Sequence, residues 1–230
     1  MLYLFDIDGT LLLSGGAGAR ALDRAFRERF GLEGAMEQIR PGGKTDPIIL
    51  EEIFATRLGR APAAAELDEV LALYLSFLPT ELGDAPGFRL MPSVVDALDF
   101  LAALAPGVVL GLATGNVREA ARIKLERADL WARFAIGGFG CDHRERGLLV
   151  ARAIERACAH AGVTALAPDQ VVVVGDTPLD VEAARACGVR AVAVATGTAT
   201  RAQLAACSPD ALLDTLAELP AWHRREFTAG

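Results

Sequence analysis

The chain has 230 residues, 52% of them hydrophobic and 23% charged, with a formal net charge of −7. That length and composition suit a soluble domain, or a domain carrying an insert, with a substantial core. The acidic balance, the few aromatics and the lack of a basic run disfavour nucleic acid and anionic membrane as partners.

Taken from the N-terminus, the first element is the apolar run LYLF (2–5), which leads straight into Asp6-Ile7-Asp8-Gly9-Thr10. Asp6 and Asp8 fall where the apolar stretch of a signal peptide would lie, so none is expected. Residues 14–87 then hold three helical patterns, GGAGARALDRAFRERFG, DPIILEEIFATRLG and AAAELDEVLALYLSFLPTELG. Gly- and Pro-containing segments flank or divide them, and no convincing strand lies among them. They read as a helical insert, leaving 1–13 and 88–230 as the other unit.

Beyond the insert, strand-like runs alternate with helices. The strands are VVLGLA (108–113), QVVVVG (170–175), RAVAVA (190–195) and the weaker FAIGGF (134–139). Their nearly unbroken apolar character suits parallel strands covered on both faces. Helical patterns cover 93–104, 117–130, 147–162 and 180–188, which predicts a doubly wound, Rossmann-like α/β sheet with an inserted α-helical domain. The longest uncharged run, 100–116, contains Pro106 and falls short of the ~20 apolar residues of a membrane helix. Cys141, Cys158, Cys187 and Cys207 form no CxxC pair, which argues against zinc and for reduced thiols in a cytoplasmic protein.

The polar residues gather where strands end. The first strand closes on Asp6 and Asp8, the second on Thr114-Gly115-Asn116, and the third on Asp176, with Asp180 one helical turn later. Open α/β sheets bind ligands at the carboxyl ends of their strands, so these clusters should converge. Positions 6 and 8 point to one side of an extended segment. Buried like charges need a cation, and acidic oxygens without His or Cys select a hard one such as Mg²⁺. One carboxylate can then attack phosphorus and the other can exchange the proton. Thr114, Gly115 and Asn116, ahead of a helix, can hold phosphate oxygens, and Arg144 or Arg146 can supply the positive charge on the transferring group.

With DIDGT, ATGN and GDTPLD each closing a strand in this order, the chain resembles the haloacid dehalogenase superfamily with an α-helical cap inserted after the first strand. The resemblance implies a cap at 14–87, a nucleophile at Asp6, an acid/base at Asp8 and a phosphoryl ligand at Thr114. It implies Mg²⁺ held by Asp6, the Asp8 backbone carbonyl and Asp176, with Asp180 supporting the metal site. The family's usual third-motif lysine is replaced by the segment CDHRERGLL, where Arg146, nearest the helix, is preferred to Arg144. Aspartate at position 8 points to phosphate esters, because an alkoxide leaving group needs a proton donor. The implied activity is a Mg²⁺-dependent phosphatase for a small phosphorylated metabolite, of the phosphoglycolate or sugar-phosphate kind. A phosphomutase and a phospho-acceptor module without turnover are the rivals, and a monomer or homodimer is expected.

Plainer accounts exist for several of these positions. Asp-Gly is a turn dipeptide, but Asp176 and Thr114 at matching strand ends outweigh that account. Gly43-Lys44-Thr45 imitates the end of a P-loop, yet Gln38 stands where the motif needs glycine. Gly15, Gly16 and Gly18 read as a hinge. His143, His160 and His223 form no cluster, and no Ser-His-Asp set is visible. Trp222 and Phe227 read as a tail packed on the core. Of the two lysines, Lys124 is expected in solvent on a charged helix, and Lys44 is expected to reach the substrate as a mobile ammonium from a Gly-flanked turn.

Overall fold

The apolar runs become strands because a parallel ladder flanked by helices is where continuous β-rich segments can be covered on both sides. The structure, a computed structural model, describes residues 1–104 and 106–227. In chain order its elements are β1 (Leu2–Phe5), β2 (Leu12–Ser14), α1 (Ala17–Phe30), α2 (Asp46–Arg57), α3 (Ala64–Gly83), β3 (Phe88–Leu90) and α4 (Val94–Ala102). There follow β4 (Val109–Ala113), α5 (Arg118–Glu126), β5 (Ile136–Gly138), α6 (Arg146–Ala161), β6 (Val171–Gly175), α7 (Pro178–Ala186), β7 (Arg190–Val194), α8 (Arg201–Ala206), β8 (Ala211–Leu213) and α9 (Leu219–Phe227).

Among the described residues, six strands form one sheet in the order β5-β4-β1-β6-β7-β8, every neighbouring pair parallel. From β1 the chain first builds outward through β4 and β5, then returns to the other side for β6, β7 and β8. Both neighbours of β1 therefore lead away from it, which makes its carboxyl end the topological switch point where such sheets take ligands. The predicted doubly wound α/β core is the observed one. The register aligns the strand ends: Phe5 faces Leu112 on β4 and Val174 on β6.

Separate apolar clusters cover the two faces. On one side Tyr3, Phe5, Leu98, Leu101, Val172 and Trp222 pack together; on the other Leu2, Leu4, Leu149, Val171, Val173 and Leu204 do. Trp222 is buried and the Tyr3 hydroxyl meets His223 Nδ1 at 2.6 Å, so the C-terminal helix packs on the core as a tail. Helices α1, α2 and α3 gather a third cluster around Phe26, Phe54, Tyr74 and Leu78, and it continues onto α5 through Val117 and Ala120. The antiparallel pair β2–β3 closes the chain at both ends of this helical run, with Leu12 opposite Leu90 and Ser14 opposite Phe88. Neither these three-residue strands nor β8 was legible as a strand, since each is too short to show a period.

Gly138 shows how tightly a helix lies on the sheet. A Cβ there would run into the carbonyl oxygen of Leu149 on α6. That neighbour is helix backbone and cannot rotate aside. Gly138→Ala should therefore destabilise the fold by more than about 2 kcal/mol, at the upper side of ordinary overpacking, as read from the urea midpoint at unchanged slope.

Candidate active site

Asp6 follows β1 and keeps its ladder going by donating its amide to the Val174 carbonyl at 2.9 Å. The chain then turns sharply. The amides of Thr10, Leu11 and Leu12 all donate to the Ile7 carbonyl, and Gly9 donates to Leu12 at 2.8 Å. Gly9 stands at φ +92°, and a Cβ there would come within 2.5 Å of Asp176 Oδ2. Backbone geometry and close approach thus both exclude a side chain. The turn also delivers Thr10, whose hydroxyl donates to Asp176 Oδ1 at 3.0 Å.

Asp176 follows β6. Thr177 opens α7, and its amide and hydroxyl donate to Asp180 Oδ2 at 3.0 and 2.7 Å, a capping box that turns the Asp180 carboxylate back toward the sheet. One oxygen each from Asp6, Asp176 and Asp180 lies within 4.8 Å of the others, and all three residues are buried. The structure therefore brings the acidic motifs at the ends of β1 and β6 together. Burial, and then the neighbouring carboxylates Asp180, Asp6 and Asp8, raise Asp176 to about 8. Burial also raises Asp6 to about 7, against the pull of Arg146. Crowded, desolvated carboxylates of this kind fit a cation.

Arg146 opens α6 among these carboxylates. Its Nη2 lies 3.3 Å from Asp6 Oδ1 and bonds Asp180 Oδ1, and its Nη1 donates to the Gly43 carbonyl at 3.2 Å. Its Nε is buried with no hydrogen-bond partner among the described residues. Arg144 instead pairs with Glu51 at 2.6 Å on the surface. Both oxygens of Asp180 are already engaged, by Arg146 and Thr177, whereas Asp6 and Asp176 keep acceptor capacity.

The third polar strand end lies beside these groups. Thr114 is fully buried, and its hydroxyl oxygen accepts from the Asn116 side-chain amide at 2.9 Å. Gly115 and Asn116 line the cavity above it. Asn116 donates to Asp8 Oδ2 at 2.9 Å, and Lys124 Nζ reaches the same oxygen at 2.6 Å. Lys124 was expected in solvent, but it is 4% exposed. The correction has a simple cause. Val117, Ala120, Ala121, Lys124 and Leu125 form one helical stripe facing inward, and Lys124 completes it because a carboxylate waits at its end. The spacing was readable; the partner was not. The Asp8 side chain is thereby turned to Lys124 and Asn116, away from the group formed by the other three aspartates.

The cavity over these residues has a volume of about 690 Å³, and its lining includes Asp6, Asp8, Lys124, Arg146, Asp176 and residues of α1, α2 and α3. Lys44 also lines it, and its Nζ pairs with Glu52 on α2. The segment 43–46 is latched to the sheet side. Asp46 N donates to Gly115 O at 2.8 Å, and the Asp46 carboxylate accepts from Val117 N at 2.8 Å, which caps α5 from across the cavity. The Thr45 hydroxyl adds a bond to Arg144 O at 3.1 Å. His143 serves its own turn by accepting from Glu145 N.

A family model described as HAD-hydrolase-like matches residues 146–219. The chain is 32% identical to the probable phosphatase IndB of Dickeya dadantii over 95% of its own length and 91% of that protein's. It is 30% identical to a phosphoglycolate phosphatase of Synechococcus elongatus, over 94% of this chain and 93% of that one. Among solved structures, a predicted phosphoglycolate phosphatase from Haemophilus somnus 129PT superposes with a TM-score of 0.71 at 21% identity, covering 96% of each chain. No described helix is long and apolar enough to cross a membrane.

The latch carries a pH signature. Burial raises Asp46 to about 6 from its ordinary value, against Lys124 and the Val117 amide. A carboxyl that titrates higher in the fold than in the unfolded chain favours folding below about pH 4, and loses that contribution as the pH rises through 6. Asn at this position still offers an oxygen to Val117 N but carries no charge. Relative to the parent, Asp46→Asn should therefore gain stability between pH 4 and 7, on the order of 2–3 kcal/mol at one pKa unit per ~1.4 kcal/mol. Urea unfolding of both proteins at the two pH values measures it, and a difference independent of pH would contradict a buried Asp46 charge.

Proposed function

We infer from the chain's membership of the haloacid dehalogenase-like hydrolases, the family to which it belongs, that it is a phosphatase, and we propose that it hydrolyses a small phosphate ester through Asp6. The observation that carries this reading is the buried group of Asp6, Asp176, Asp180 and Arg146 at the sheet's switch point, opening into a cavity of about 690 Å³. Such a site can attract an anion to Arg146 and present a carboxylate to its centre. A protein that only stored phosphate would not need a second carboxylate, Asp8, beside the leaving group.

In this reading an Asp6 oxygen attacks phosphorus, forming a carboxyl–phosphate bond as the bond to the leaving oxygen breaks. Asp8 gives its proton to the leaving alkoxide, then takes one from the water that attacks the phosphorylated Asp6, and inorganic phosphate departs. Arg146 and the region around Thr114, Gly115 and Asn116 hold the phosphoryl oxygens, and the unspent N–H of Arg146 Nε suits that task. Hard oxygen donors without nitrogen or sulfur fit Mg²⁺, with the Asp6 and Asp176 side chains and the Asp8 carbonyl as its holders and Asp180 behind them, anchoring Arg146. When bound, that ion offsets the charge of the carboxylates and of the phosphoryl group.

We read residues 14–87 as a cap over the core formed by 1–13 and 88–230. The β2–β3 pair where the chain leaves and rejoins the core supports this, as does the helices' own apolar cluster. A site covered in this way takes small diffusible esters, and a phosphoglycolate or sugar-phosphate substrate fits a cavity of about 690 Å³. Lys44, lining that cavity, is a candidate to contact the leaving group once it parts from Glu52.

Asp6→Asn should lower turnover of p-nitrophenyl phosphate by more than about a thousandfold at an unchanged melting temperature. Retention of even a few per cent of activity would move the nucleophile elsewhere. A separate expectation concerns the ion: activity should vanish in excess EDTA and return with Mg²⁺ but not with Ca²⁺. The larger cation accepts more oxygens at longer distances and would engage both oxygens of Asp6. Full turnover in the chelator would remove the ion from the reading.

A further inference from the structure

Two aspartates two residues apart should repel each other and compete for the same cation. The structure separates them by giving each its own. Arg146, from α6, takes Asp6 together with Asp180. Lys124, from α5 on the other side of β1, takes Asp8. Within the stripe of α5 that faces inward, every other buried residue is apolar or small, so an ammonium there has no packing role that leucine or methionine would not fill better. It sits where its charge meets a carboxylate.

We propose that Lys124 is the positioning residue of the acid/base carboxylate: with Asn116 it clamps one oxygen of Asp8, so that the carboxylate faces the leaving group and not the nucleophile. The inference rests on the phosphatase reading above. Asp8 Oδ2 receives Lys124 Nζ at 2.6 Å and Asn116 Nδ2 at 2.9 Å, while the side chain as a whole stays 38% exposed and lines the cavity. Carboxylates have two soft torsions, and two donors on one oxygen remove both. Lys124 also fixes the clamp's other arm. Its Nζ donates to Asn116 Oδ1 at 2.6 Å, so the amide must present Nδ2 to Asp8 and to the Thr114 hydroxyl. A flipped amide would set N–H groups against the ammonium. Thus one amine holds the Asp8 carboxylate both directly and through the amide beside it.

The space beside the amine is left open by Gly18 near the start of α1. A Cβ there would find Tyr74 Oη at 3.8 Å and Lys124 Nζ at 4.0 Å as its nearest atoms. The clamp therefore stands at the boundary between the core and the helices above it, on the side of Asp8 where an ester's alcohol would lie.

A leaving-group series tests this. The parent, Asp8→Ala, Lys124→Met and the double variant are assayed on p-nitrophenyl, phenyl and p-methoxyphenyl phosphate, which have similar size but increasing need for a proton. Lys124→Met should lower kcat on p-methoxyphenyl phosphate by ~100-fold and on p-nitrophenyl phosphate by only several-fold, steepening the dependence as Asp8→Ala does. KM should move less than kcat. Added to Asp8→Ala, the Lys124 change should cost less than about twofold more, because there is no carboxylate left to place. Lys124→Arg should restore a shallower dependence. An equal loss on all three esters, or losses that multiply in the double variant, would overturn the role. If the methionine variant fails to fold, Lys124→Gln carries the same series, and the same steepening is expected of it. Failure of the phosphatase reading looks different: the parent would turn over none of the esters, or Asp6→Asn would keep its activity.

Discussion

Putting ionised carboxylates at the ends of buried strands is the constraint on which the rest of this molecule depends. Asp6, Asp176 and Asp180 are each nearly inaccessible, and Asp8 stands two residues from Asp6. Left alone, such a group would protonate or drive the strands apart. Each neighbouring element answers part of that cost. The α7 capping box satisfies one oxygen of Asp180, Thr10 satisfies one of Asp176, and Arg146 bridges Asp6 and Asp180. Lys124 and Asn116 hold Asp8. The balance is incomplete at Asp6 and Asp176, whose carboxyls burial raises to about 7 and 8.

The same constraint explains the fold's geometry around the site. β1 lies centrally, so both of its neighbours contribute strand ends; α5 and α7 follow those ends and α6 follows β5, with their N-termini near the site. Helix N-termini favour anions, which eases the carboxylates and suits a phosphoryl group. The glycines are placed by crowding. Gly9 must turn with a positive φ beside Asp176, and Gly115 lies where a Cβ would strike the backbone of Lys44. The second contact joins the helical run to the core, and Asp46 strengthens it by capping α5. These polar bonds form a short latch beside the apolar contacts that Val117 and Ala120 of α5 make with the helical run.

Cations divide the carboxylates into two groups. Arg146 pairs with Asp6 and Asp180, and Lys124 pairs with Asp8. The two are not interchangeable. A planar guanidinium can bridge two carboxylates and still offer Nε, while a point-like ammonium suits one carboxylate oxygen and one amide oxygen.

The sequence by itself determined five of the sheet's six parallel strands, the helical run after β1, and the polar residues that follow β1, β4 and β6, acidic after β1 and β6. These are properties of local composition: continuous apolar runs, helical periods and turn residues all act within a few positions. Arg144 and Arg146 were both legible as basic residues ahead of α6; the structure puts Arg146 among the carboxylates and pairs Arg144 with Glu51. What only the tertiary structure decided lies between segments far apart in the chain. Lys124 sits 116 positions from Asp8, and from sequence its charge read as solvated. Asp46 caps a helix 71 positions away, and β2 and β3 recognise each other across the whole helical run. Lys44 is tied to Glu52 by a turn geometry that its glycine neighbours did not reveal. A charged residue's cost is set by its surroundings and not by its identity, so which charges are buried, and against what, follows only once the chain has brought the partners together.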